Sequence, residues 1–156
     1  MQKIIVQACC GPCSTAAAKN FEKCAFFFNG DNFDTQEEYD RRLNAMLKVD
    51  KDTAVMPYNP KIFNTCDECM RYRMSACAKY ALEHGFDAFS TSLTVSPHKN
   101  TEEVNKIGRE VGNEIGITFV EVNLKKNGGF MYSVAKSKEL GLYRQNYCGC
   151  AKSVRQ

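Results

Sequence analysis

Short apolar runs alternate with amphipathic stretches along the whole chain. Five runs rich in branched and aromatic residues, at 3–7, 25–29, 53–58, 87–92 and 118–122, have the length and composition of buried strands. Between them the apolar spacing is helical. Asp34-Thr35-Gln36-Glu37 supplies a cap and early acids ahead of Tyr39, Leu43, Met46 and Leu47. A longer helix is predicted over 66–83, stopped by Gly85. Asn100-Thr101-Glu102-Glu103 opens another, which carries Val104, Ile107, Val111 and Ile115 and ends at Gly116. Strands alternating with helices imply βαβ units, and hence an α/β, Rossmann-like fold: a mostly parallel five-stranded sheet with helices on both faces.

Sheets of this kind bind ligands at the carboxyl ends of their strands. The first strand runs into Ala8-Cys9-Cys10-Gly11-Pro12-Cys13-Ser14, the second into Asn29-Gly30-Asp31, and the fourth into Thr91-Ser92. In the first of these, Gly11 is expected to make a tight turn and Pro12 to open a helix. A thiol there sits at a helix N-terminus, where the partial positive charge favours thiolate, the form that binds metal or attacks sulfur.

Composition narrows the chemistry. At 156 residues the chain is most simply one domain, able to bury a core without disulfide staples, and it has no internal repeat, low-complexity tract or linker. Mean hydropathy is −0.42, with no membrane-length apolar run and no secretory signal, so a cytoplasmic protein is expected. Nine cysteines, an odd number, fit a disulfide framework poorly in that setting, leaving metal binding or redox chemistry. A formal charge of +3 permits nucleic-acid contact without demanding it.

Seven of the cysteines fall into three groups: Cys9, Cys10 and Cys13; Cys66-x-x-Cys69 at the start of the long helix; and Cys148-Gly149-Cys150. Thiolates drawn from several segments are what a tetrahedral zinc or an iron–sulfur cluster requires, and seven exceed the four that one centre needs. Cys24 and Cys77 lie away from these groups and read as small buried hydrophobes. His98, in Ser96-Pro97-His98-Lys99-Asn100, is a candidate proton donor. Tyr143, Arg144, Gln145 and Tyr147 crowd before the last thiols, where aromatics beside an Arg can stack a base and hold a phosphate. Tyr143 equally suits an apolar lid on the final helix. Arg41-Arg42 and Lys125-Lys126 read as solvated faces.

Four stretches, taken in order, resemble one family, the cobalamin-independent epoxyqueuosine reductases (QueH). They are Cys9-Cys10-Gly11-Pro12-Cys13-Ser14, Cys66-x-x-Cys69, the segment 91–99, and Leu142-Tyr143-Arg144-Gln145-Asn146-Tyr147-Cys148-Gly149-Cys150. The likeness extends to 37–42 and 137–141. It implies an adenine-nucleotide-hydrolase-like α/β fold and the reduction of epoxyqueuosine to queuosine at the wobble base of tRNA. It also implies a 4Fe-4S cluster beside a mononuclear iron, with zinc a possible substitute, held by Cys9, Cys10, Cys13, Cys66, Cys69, Cys148 and Cys150. Because an aspartate can stand at position 13 in relatives, Cys13 is assigned to the lone iron. His98 and Tyr147 are then candidate proton donors. Ser96, Lys99, Tyr143, Arg144 and Gln145 become candidate substrate contacts, and an electron donor such as a ferredoxin or flavodoxin the second partner. Gln7 stands where a His is common, Asn29-Gly30 where Asn-Pro is usual, and the connection between Arg42 and Cys66 is short for the family.

Two other activities compete on the residues alone. Cys10-Gly11-Pro12-Cys13 is a thioredoxin-type C-x-x-C at a helix start, and so a dithiol oxidoreductase is one. A structural zinc module that binds RNA is the other.

Overall fold

The computed structural model describes residues 2–97 and 99–144. His98, Gln145, Tyr147, Cys148 and Cys150 therefore lie outside the described residues.

Strands β1 (Ile4–Ala8), β2 (Ala25–Phe28), β3 (Ala54–Val55), β4 (Ala88–Thr91) and β5 (Thr118–Phe119) form one parallel sheet in the order β3-β2-β1-β4-β5. Helices α1 (Gly11–Asn20), α2 (Gln36–Val49), α3 (Cys66–Glu83), α4 (Thr101–Ile115) and α5 (Gly129–Leu140) cover it on both faces. The Rossmann-like α/β expectation holds, all the strand pairings being parallel.

Alternation along β1 divides the core. Ile5 joins Phe27 and Phe89 under Met70, Met74 and Cys77 of α3 and Val104, Ile107 and Val111 of α4. Val6 and Ala8 join Phe26 and Phe28 on the other side, under Ala16 and Ala17 of α1 and Tyr39 and Met46 of α2. Helix α5 packs outside, against α1. Cys77 is completely buried in the first cluster, as its isolation in the sequence suggests, and burial raises its thiol far above the ordinary range. Half-buried Cys24 packs on the second cluster, and burial pushes it up to about 11.

The third and fifth strands are shorter than their apolar runs predict. After β3 the Met56 N–H still reaches Phe28 O at 3.0 Å, but Met56 O accepts the Tyr39 hydroxyl at 2.5 Å and Gly30 O accepts the Phe33 N–H at 3.0 Å, so the groups that would continue the ladder are already engaged. Beyond β5 the Val120 N–H reaches Phe89 O at 2.9 Å, after which side chains take over. Ser90 Oγ donates to Val120 O at 2.8 Å and Asn105 Nδ2 to Val122 O at 3.0 Å, so these carbonyls need no neighbouring strand.

Gly11 does not make the turn that a tight loop suggested; it is not among the positive-φ glycines. A Cβ there would lie 2.9 Å from the backbone carbon of Ala45, so glycine is required for the close approach of α1 to α2. Gly116, by contrast, ends α4 with a φ of 90°, as its position after Ile115 predicted.

Candidate metal centre

The chain leaves β1 to one side through β2 and β3 and returns on the other side through β4, so the carboxyl ends of β1 and β4 form the topological switch point of the sheet. Cys9 and Cys10 follow β1 there, and Cys10 N-caps α1, its sulfur accepting the Cys13 N–H at 3.4 Å. The sulfurs of Cys9, Cys10 and Cys13 all lie within 4.8 Å of one another, and those of Cys9 and Cys10 are 3.8 Å apart. Ligands of one tetrahedral thiolate-bound ion, with metal–sulfur bonds near 2.3 Å, are separated by roughly 3.8 Å, so this soft donor set fits a metal.

The three thiols are not equivalent. Hydrogen bonds from Cys10, then from Cys13 and Ser92, together with the charge of Arg73, hold Cys9 well below the ordinary thiol range against the effect of burial. The Cys13 contact favours Cys10 thiolate, but the bond to Cys9, burial and the Cys9 charge prevail and push Cys10 up to about 12. Hydrogen bonds to Cys10 and Cys9, and then burial, raise Cys13 well above its usual value.

Helix α3 begins at the same edge of the sheet, because it precedes the parallel strand β4. Thr65 Oγ1 caps it by accepting the Glu68 N–H at 3.1 Å. This puts Cys66 and Cys69 in its first turns, Cys66 exposed and Cys69 buried. Their sulfurs are not part of the group formed by Cys9, Cys10 and Cys13. Lys99 Nζ lies 2.9 Å from Cys66 Sγ. Its loop is braced by Lys125, whose Nζ donates to Ser96 O at 2.9 Å and to Lys99 O at 2.6 Å. Lys125 is thus not the solvated residue its neighbourhood suggested, and desolvation lowers its pKa.

Arg42 is a second departure from the expected solvated face. It is 2% exposed and donates through Nε to Glu38 at 2.6 Å, with its guanidinium 4.5 Å from the Phe33 ring centre. The Tyr143 hydroxyl donates to the same buried carboxylate, and Arg144 beyond it is exposed. Gln7 is fully buried; its Oε1 accepts from Thr91 Oγ1 at 2.9 Å, tying β1 to β4 beneath the thiols. Among the described residues, the side-chain amide of Asn32, buried just beyond β2, has no hydrogen-bond partner. Sequence patterns gave Ser92, Arg73 and Lys125 no part in the site. The one available signal for Ser92 was its position at the end of the strand beside β1.

The profile of the family described as "Epoxyqueuosine reductase QueH" matches residues 4–64 and 53–156. The chain belongs to the QueH family. It is 30% identical over 175 residues to an epoxyqueuosine reductase QueH of Thermotoga maritima, covering 99% of this chain and 91% of the relative. To that of Streptococcus pyogenes it is 30% identical, over 97% of this chain and 70% of the relative. To that of Dehalococcoides mccartyi it is 28% identical, over 97% and 92%. The QueH match takes in all three cysteine groups and divides within 53–64, inside the connection expected to be short. Among the described residues no helix is long and apolar enough to cross a membrane.

Proposed function

We propose that this chain is an epoxyqueuosine reductase acting in the cytoplasm on tRNA whose wobble base is epoxyqueuosine. The observation that carries this is the family match over nearly the whole chain, on a fold whose switch point holds three clustered cysteines. The reaction takes up two electrons and two protons, converts the epoxide to a carbon–carbon double bond and releases its oxygen as water.

Cys9, Cys10, Cys66, Cys69, Cys148 and Cys150, with Cys13 on the mononuclear ion, would hold a 4Fe-4S cluster and an adjacent iron. These centres supply one-electron relay and Lewis acidity when bound. The donor set supports this: all seven residues are soft thiol donors, and the three that are described at the switch point stand at metal-sharing distances.

The remaining residues bind and protonate. Exposed Arg144 meets phosphate, and the Tyr143 ring, with its hydroxyl engaged by Glu38, offers a stacking face with the Arg41 guanidinium 5.9 Å from its centre. Gln145, Ser96 and Lys99 complete the contacts to substrate, and His98 and Tyr147 are the proton donors. A ferredoxin or flavodoxin delivers the electrons. The chain works as one domain over 1–156, with a C-terminal metal-ligating tail that carries Cys148 and Cys150.

The Cys10–Cys13 dithiol alternative is not favoured. Such chemistry needs an activated thiol within the C-x-x-C, whereas here Cys10 is pushed up to about 12, Cys13 is raised, and it is the adjacent Cys9 that is lowered. A zinc module is not favoured by a match to named reductases along the chain. The decisive assay is anaerobic: protein reconstituted with iron and sulfide, epoxyqueuosine tRNA, a strong reductant, and mass spectrometry of the digested nucleosides. Queuosine is the expected product. Its absence from protein with spectroscopically confirmed cluster would refute the proposal.

A further inference from the structure

A serine that N-caps a helical turn ordinarily gives its side-chain oxygen to that turn's own N–H groups. Ser92 occupies this position before the 3-10 turn Leu93–Val95 and makes no such bond. Its backbone, at φ −90° and ψ −1°, lies in the bridge region that many active-site residues adopt. The capping duty has passed to Thr91, whose Oγ1 accepts the Leu93 N–H at 3.2 Å.

The Ser92 hydroxyl is directed at Cys9 instead. It accepts the Cys9 N–H at 3.1 Å and approaches Cys9 Sγ at 3.3 Å as a donor. Since the N–H occupies the oxygen's acceptor side, its single proton is free for the sulfur. The group has little room to move. Ser92 is completely buried, its N–H is bound to Gln7 O at 3.0 Å, and Thr91 bonds the Gln7 side chain at 2.9 Å. Two adjacent strands therefore fix one hydroxyl against one sulfur, in a place that water cannot occupy.

We propose that Ser92 is a positioning residue of the metal centre: it orients the Cys9 sulfur as a ligand and withdraws charge from it, which raises the reduction potential of the bound centre. Partners of this kind around a metal site commonly carry about 10- to 100-fold in metal affinity, and hydrogen bonds to ligand sulfur are a principal control on iron–sulfur potentials. The inference rests on the assignment of Cys9 as a metal ligand.

Two measurements test it. In anaerobic titration of the metal-free protein with cobalt(II), followed by its thiolate absorption, Ser92→Ala should bind about 10- to 100-fold more weakly than the parent. Ser92→Thr, which keeps the hydroxyl, should recover most of that loss. In reconstituted protein with matched iron and sulfide content, Ser92→Ala should shift the potential of the centre to more negative values. Parent-like cobalt affinity together with an unshifted potential in Ser92→Ala overturns the proposal. A Cys9→Ser control separates the two levels of the argument. If it binds cobalt as the parent does, Cys9 is no ligand and the metal assignment itself falls, taking this role for Ser92 with it.

Discussion

The Tyr143 hydroxyl donates to both carboxylate oxygens of Glu38, at 2.9 and 3.1 Å, across 105 residues of sequence. Glu38 lies in the first turn of α2, and Lys48, in its last, donates to Gly141 O at 3.3 Å. The two contacts are ten helical residues apart, about 15 Å along the axis. Residues 141–144 therefore lie alongside α2, reached from its last turn by the long Lys48 side chain and tied to its first by the Tyr143 hydroxyl. The clasp holds the last described residues against the first turn of α2.

Tyr143→Phe keeps the ring and removes the bond. Hydrogen bonds to charged groups contribute about 1.5–3 kcal/mol, and half-buried Tyr143 belongs at the low end. The expected result is a loss of stability of about 1.5 kcal/mol in urea unfolding. An unchanged urea midpoint would show that the hydroxyl contributes nothing to the clasp.

Glu38→Ala should cost more. It leaves the Arg42 guanidinium, 2% exposed, without its carboxylate, and breaking a buried pair in this way typically costs about 3–5 kcal/mol. Arg41, whose side chain is 53% exposed, reaches the same carboxylate at 3.2 Å and should contribute far less when replaced. Comparing the unfolding curves of Glu38→Ala and Arg41→Ala checks the order.

Thiol reactivity should follow the order of these shifts. In metal-free, reduced protein at neutral pH, a small alkylating agent should modify Cys9 before Cys10 or Cys13. Because the Cys9 value is depressed, its reactivity persists below the ordinary thiol range and is lost as pH falls through that depressed value. Cys10 should gain reactivity only as pH rises toward about 12. Peptide mapping by tandem mass spectrometry across pH reads the order, and earlier labelling of Cys10 would contradict it.

Cysteine replacements should divide into two classes. Cys77→Ser places a hydroxyl in a fully buried apolar cluster, with an expected stability cost of about 1–3 kcal/mol and no change in iron or sulfide per chain. Cys9→Ser should do the reverse, lowering metal content with little effect on the unfolding of the metal-free protein. Metal counts and urea midpoints on both variants distinguish core from ligand.

Sequence alone determined the layered architecture, because a parallel sheet buried on both faces leaves near-continuous apolar runs and its helices leave caps and αL glycines at their ends. It also identified the thiol groups, since metal ligands must be particular residue types, and it set apart Cys24 and Cys77. The extent of β3 and β5 was not legible, because apolar residues continue past the point where side chains and a turn N–H take the carbonyls that the ladder would use. Nor was the burial of Arg42: a charged residue beside Arg41 reads as solvated until folding places Glu38 and the Phe33 ring around it. Which thiol is lowered, and that Ser92 turns its hydroxyl from its own helical turn to Cys9, depended on bringing together residues 83 positions apart. Hydrogen-bond direction and local charge are properties of that juxtaposition, and only the tertiary structure could decide them.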